Sequence, residues 1–246
     1  MNHIAVPQVS GGAFGGVNLD QMFVTTARLE LTEDQLKETT MQAIISAVRH
    51  FYEWAALQGG DTRSEFERAL SVIGWDNDIK LPEPTNPPVV DWHLETACGL
   101  SGETDSPTRA VVDALLAGAH LLRWFDVYAH YDDEPDMAVF RRSYAYTSLI
   151  GPDGPLICGE MFVGITLQGP DIYYPPHVHR ATETYAIIGG TGDWKRGLEP
   201  WTSRPPGDLI LHPSGIRHAM QSNAEPLLTL CLWTTDIDSP VVIVRG

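Results

Sequence analysis

The chain has 246 residues, 43% of them hydrophobic and 20% charged, ordinary figures for a soluble globular protein with a well-buried core. Its 32 acidic against 16 basic side chains leave a formal net charge of -16 with no basic stripe, which argues against a nucleic-acid partner. A reducing, cytoplasmic setting is expected: Cys98, Cys158 and Cys231 form no CxxC pair, the N-terminus lacks a basic start and apolar core, and no apolar run approaches the roughly 18 residues of a membrane span.

The first half reads as helical. Thr32-Glu33-Asp34-Gln35 has capping-box form, and Leu36, Thr40, Ala43, Ile44, Ala47, Phe51 and Ala55 recur at helical spacing up to Gly59-Gly60. Thr62-Arg63-Ser64-Glu65 opens a shorter helix carrying Phe66, Ala69, Leu70 and Ile73. The proline-rich stretch 81–90 is expected to be an extended linker. Ser106-Pro107 supplies an N-cap followed by proline at the first helical position. The helix it opens, with Val111, Leu115, Leu116, Ala119 and Leu122 on one side, is expected to fade near the acidic turn 132–135.

From about Phe140 the hydrophobic period changes to two. The runs YAYTSLI, EMFVGITL, TYAII, DLILH and LLTLCLW, punctuated by Gly and Pro, predict an antiparallel sandwich or barrel. The expected division is a helical region, 1–135, packed on a barrel, 136–246, that carries the functional site. The helical region could also mediate a homodimer.

Within the barrel part, His177-Val178-His179 puts two imidazoles on one face of a strand, Glu183 follows after a turn, and His218 arrives from a separate segment. Three imidazoles and one carboxylate suit one divalent transition metal. Zinc, iron and manganese are the leading choices, and cobalt and nickel are also compatible. His3, His50, His93, His120 and His130 have no ligand spacing, and His212 and Arg217 read as structural or solvent-facing flanks. By residue type alone, Tyr185 could be an aromatic on the barrel wall, Tyr174 part of a rigid Tyr-Tyr-Pro-Pro turn, and Trp233 either core or pocket.

These residues carry a resemblance. Gly169, His177-x-His179, Glu183 and Gly190 resemble the first cupin motif, and Gly207, Pro213, Gly215, His218 and a late Asn223 resemble the second. The string from Tyr174 through Tyr185 is similar to the cupin-type dimethylsulfoniopropionate lyases, which combine a helical N-terminal portion with a C-terminal cupin barrel. The resemblance is good over roughly residues 140 to 238. It implies a mainly β fold, a double-stranded β-helix barrel preceded by helices, and a small zwitterionic sulfonium substrate. It places His179, Glu183, Tyr185 and His218 in the metal-binding set, with His177 lining the same site. It also matches Tyr174 and Tyr185 to the candidate catalytic base and puts Trp233, with Tyr174 and His177, beside the substrate.

Cleavage to dimethyl sulfide and acrylate needs a base at the α-carbon and charge stabilisation at the carboxylate, which a metal and a tyrosinate can provide. The sulfonium could rest on aromatic faces, for which Tyr144, Tyr146, Tyr173, Trp194 and Trp233 are candidates. The metal set by itself fits another metal-cupin enzyme, a dioxygenase or isomerase, and a non-catalytic small-molecule-binding cupin is a further alternative.

Overall fold

A computed structural model describes residues 31–104, 106–131 and 133–245. The N-terminal stretch with His3, and Asp132 of the acidic turn, lie outside the described residues. Residues Thr32–Gly246 form one compact unit. Among the described residues, no helix is long and apolar enough to cross a membrane.

Helix α1 (Glu33–Gln58) starts at the predicted capping box, with Thr32 and Gln35 each bonding the other's backbone N–H, and stops at Gly59 with φ of 76°. Its buried face holds Met41, Ile45, Val48 and Tyr52 as well as the expected Ile44, Phe51 and Ala55. Leu36 and Ala43 are exposed, so the true apolar stripe is rotated from the predicted one. Helix α2 (Arg63–Val72) follows and buries Phe66 and Ala69.

Two boundaries differ from expectation. The proline-rich stretch is extended only to residue 87, because Pro88 occupies the first turn of α3 (Pro88–Gly99), where its missing N–H costs no hydrogen bond. Helix α4 (Pro107–Gly118) begins as predicted with Ser106 accepting from Arg109 N, yet ends well before residue 132. At Gly118 a side chain would run into Ile44 of α1, with an added Cβ 2.7 Å from its Cδ1. A single 3-10 turn then leads to strand β1 (Trp124–Phe125). A short helix α5 (Ala138–Arg142) precedes the main strands.

Those strands are β2 (Tyr144–Gly151), β3 (Leu156–Ile157), β4 (Phe162–Gln168), β5 (Tyr173–Val178), β6 (Glu183–Gly189), β7 (Gly192–Arg196), β8 (Thr202–Arg204), β9 (Leu209–His212), β10 (His218–Ser222), β11 (Leu227–Trp233) and β12 (Val242–Ile243). One sheet runs β1-β2-β4-β11-β6-β9 with β3 attached to β2, and the other runs β12-β5-β10-β7-β8. Helices α3 and α4 pack on the first sheet. Alternation sorts its side chains: Leu228, Leu230 and Leu232 of β11 join the helical core, while Cys231 and Trp233 face the barrel interior. On β6, Ala186 and Ile188 go to the helices and Glu183 and Tyr185 go inward.

Close helix–sheet contact depends on Gly189. A Cβ there would lie 2.2 Å from the carbonyl oxygen of Ala97 in α3, a backbone atom that cannot swing aside. Gly189→Ala is expected to destabilise the fold by about 1–3 kcal/mol through overpacking, read as a lower urea midpoint at unchanged slope.

Candidate metal centre and cavity

Strands β5, β6, β9, β10 and β11 supply the polar cluster inside the barrel. On β5, Pro175 and Pro176 lack ladder donors, and the β5–β10 register slips between His218 and Met220 at this level. This places His177 opposite His218. The turn after His179 is held by Ala181 N to Ser239 Oγ (3.2 Å) and Thr182 N to Thr235 Oγ1 (2.9 Å). Gly215 N to His179 O (2.9 Å) ties the two motif segments together.

His177, His179 and His218 share one local device. Each Nδ1 lies 2.9–3.0 Å from a backbone carbonyl two residues away, that of Pro175, Ala181 and Ile216 respectively. A carbonyl only accepts, so Nδ1 carries a proton in each ring and Nε2 is turned into the cluster, where that of His179 pairs with Glu183 Oε2 at 3.1 Å. Ligand atoms of the three rings lie within 4.8 Å of one another, and the same holds for Glu183, His212 and His218.

Glu183 is the centre of the cluster. Its Oε2 is 3.1 Å from His179 Nε2, 3.2 Å from His218 Nε2 and 3.3 Å from His212 Nδ1, while Oε1 accepts from Trp233 Nε1 at 2.7 Å. Burial alone would raise this carboxyl, but the charge of His179 and the surrounding imidazoles outweigh it and hold the group well below the usual carboxylate range. Burial and the neighbouring His218 push His177 well below the usual imidazole range and His212 down to about 3. Burial also pushes the phenols of Tyr174 and Tyr185 well above their usual range, Tyr128 adding most for Tyr174 and Glu183 for Tyr185.

The donor set fits a divalent transition metal. It offers three Nε2 atoms and a carboxylate, and one of those nitrogens, His218 Nε2, is buried with no aligned hydrogen-bond partner despite its closeness to Glu183.

A cavity of about 290 Å³ opens beside the cluster, and His177, His179, Glu183, Tyr174, Tyr185 and Trp233 all line it. Tyr174 stacks on His177 with ring centroids 4.1 Å apart, and its hydroxyl contacts that of Tyr128. Tyr185 lies edge-on to His212 at 5.6 Å and to Trp194 at 5.8 Å. Trp233 stacks on His179 at 4.4 Å while donating its indole N–H to Glu183.

Of the proposed aromatic faces, Tyr144, Tyr146 and Trp233 line the cavity. Tyr173 does not: it is 45% exposed and pairs with Trp201 outside. Trp194 is buried behind Tyr185 and does not reach the cavity lining.

Two participants escape the sequence reading. His212 is fully buried at the cluster, not a flank, because β9 pairs with β6 and sets it opposite Glu183, whereas Arg217 is exposed as expected. The alternation of Ile210 and His212 was the available signal. Tyr128 comes from the segment before the barrel, where Asp126 accepts from Tyr128 N and pairs with Arg141, and no local pattern marks it.

Comparison with known proteins agrees with this fold. Residues 61–229 match the family model described as dimethylsulfoniopropionate lyase. Dimethylsulfoniopropionate lyase DddQ of Ruegeria pomeroyi is 28% identical over 169 residues, covering 67% of this chain and 83% of the relative. A putative dimethylsulfoniopropionate lyase, DddL of Cereibacter sphaeroides, is 29% identical over 175 residues, covering 70% of each. The solved structure of the Ruegeria pomeroyi DddQ superposes with a TM-score of 0.64 at 23% identity, over 84% of this chain and 97% of that one. A chain from a crystallographic study of the lyases RdDddP and RnDddQII superposes at 0.68 with 22% identity, over 85% of this chain and all of that one. The fold is therefore a cupin-like barrel preceded by helices, and the chain belongs to the dimethylsulfoniopropionate lyase family.

Proposed function

We propose that this protein is a metal-dependent carbon–sulfur lyase that cleaves dimethylsulfoniopropionate to dimethyl sulfide and acrylate by β-elimination. The observation that carries this reading, beyond family membership, is a single cavity lined by both candidate tyrosines and by His177, His179 and Glu183 of the cluster. His177, His179, Glu183 and His218 would hold the metal, with Tyr185 as a further ligand. When bound, a dication such as zinc, iron or manganese supplies Lewis-acid polarisation of the substrate carboxylate and lowers the pKa of a neighbouring phenol.

The side chains do the rest. Tyr185, with Tyr174 as the second candidate, takes the α-proton onto its phenolate oxygen. The C–H electron pair becomes the new C=C bond, and the C–S pair departs with sulfur as neutral dimethyl sulfide. The sulfonium needs no counter-anion: Tyr144, Tyr146, Phe162 and Trp233 line the same cavity, and cation–π attraction to such faces is worth about 0.5–2 kcal/mol. Among the described residues Glu183 is the one carboxylate in the lining, and its oxygens are already engaged by Trp233 and the imidazoles.

The direct test supplies dimethylsulfoniopropionate to protein loaded separately with zinc, iron or manganese and follows dimethyl sulfide by gas chromatography. Steady release above the metal-only control is expected. Silence across all three metals would end this reading, and substrate-linked oxygen uptake by the iron form would point to a dioxygenase instead.

A further inference from the structure

We infer that His212 is a positioning residue of the metal centre, holding Glu183 in the orientation the metal requires; this rests on the metal reading above. His212 ends β9 in register with Glu183 on β6, and its ring is fully buried, stacked 3.9 Å from that of His218. It departs from the device shared by the other three imidazoles. Their Nδ1 atoms go to nearby backbone carbonyls and their Nε2 atoms face the cluster, whereas His212 has no such carbonyl and turns Nδ1 itself to Glu183 Oε2 at 3.3 Å.

A carboxylate oxygen only accepts, so Nδ1 of His212 carries the proton and its Nε2 is a lone pair. That Nε2 is buried without a partner, a state an acceptor tolerates better than an N–H does. His212 therefore acts as a donor to the carboxylate, and the Nδ1–H bond occupies one lone pair of Oε2 and leaves another for an ion. Trp233 Nε1 holds Oε1 from the opposite strand neighbour, β11. The two donors together restrain rotation of the carboxylate, as groups outside the ligand set do in metal sites generally.

The test measures metal affinity rather than turnover, with zinc ion alone as the probe in competition with a chromophoric chelator. Three full-length variants are compared with wild type, and circular dichroism of the metal-free proteins monitors folding. His212→Leu removes the donor and is expected to weaken zinc binding by about 10- to 100-fold. His212→Asn places an amide N–H near the position of Nδ1 and is expected to recover most of that loss.

Folded His212→Leu with wild-type affinity would overturn the inference, as would His212→Asn no better than His212→Leu. If His212→Leu does not fold, His212→Gln replaces it. Its amide reaches the Nε2 position instead, so weakened binding supports the inference and unchanged binding overturns it. A wild-type chain that takes up no zinc, iron or manganese would instead sink the metal reading itself, and loss of zinc from His212→Leu in a protein inert toward dimethylsulfoniopropionate would leave the inference standing while removing the proposed reaction.

Discussion

Tyr185→Phe is expected to fold, to keep its ring against Trp194 and His212, and to lose about 10²–10⁴-fold in kcat, the usual range for deleting a general base. The substitution removes one oxygen and leaves the packing intact, so a large loss would be chemical in origin. The phenol sits one strand residue beyond Thr184 on the same face as Glu183, within the field of any dication the carboxylate binds. Without that charge, burial and Glu183 keep the phenol protonated, so the proposed base depends on the metal. Tyr174→Phe is the matched control. Its ring would still stack on His177, while the contact with the Tyr128 hydroxyl disappears. A small effect there beside a large one at Tyr185 assigns the base to Tyr185, and the reverse pattern moves it to Tyr174. Near-wild-type turnover in both variants would remove tyrosine from the chemistry. Dimethyl sulfide release under saturating substrate, with metal content measured on each sample, reads all three outcomes.

Glu183→Gln should be at least as damaging, and through a different cause. Oε2 faces nitrogens of His179, His212 and His218, and Oε1 accepts from Trp233. An amide keeps the shape but loses the charge. Its NH₂ group must also replace one of these acceptors, so a donor then faces either the Trp233 indole N–H or the Nδ1–H of His212 inside a buried site. Metal retention should collapse and turnover fall by roughly 10³-fold or more, since Lewis-acid stabilisation of this kind is worth several kcal/mol and each 1.36 kcal/mol is tenfold in rate. Elemental analysis after dialysis, alongside the gas assay, checks both. Full metal content with wild-type turnover in this variant would place the carboxylate outside the centre.

Reading the strands from apolar runs worked for one sheet and, apart from the strand carrying His177, missed the other. The five apolar runs from YAYTSLI to LLTLCLW correspond to β2, β4, β6, β9 and β11, all in the sheet covered by helices on one face and by the barrel interior on the other. A sheet buried on both faces must be apolar along its length, and that signal survives in the sequence. Strands β5, β7, β8, β10 and β12 belong to the second sheet, which has a wetter outer face and carries the prolines, histidines and charged residues. Their local composition resembles loops. Among the helices the Thr32 box and Ser106-Pro107 are local chemistry and were legible, whereas the close approach of α4 to α1 at Gly118 and Ile44 is a matter of packing between segments far apart in sequence.

The histidine spacing, the paired glycine–proline turns and the aromatic string around them are written in short contiguous stretches, so the barrel, the family and most of the polar cluster can be read without coordinates. The presence of His212 beside Glu183, and of Tyr128 against Tyr174, cannot. One follows from the register between β6 and β9, the other from where the segment ahead of the barrel lays its ring. Pairings across such separations are chosen by the burial of whole sheets and helices. That burial is a collective property of the folded chain, and no window of neighbouring residues encodes it.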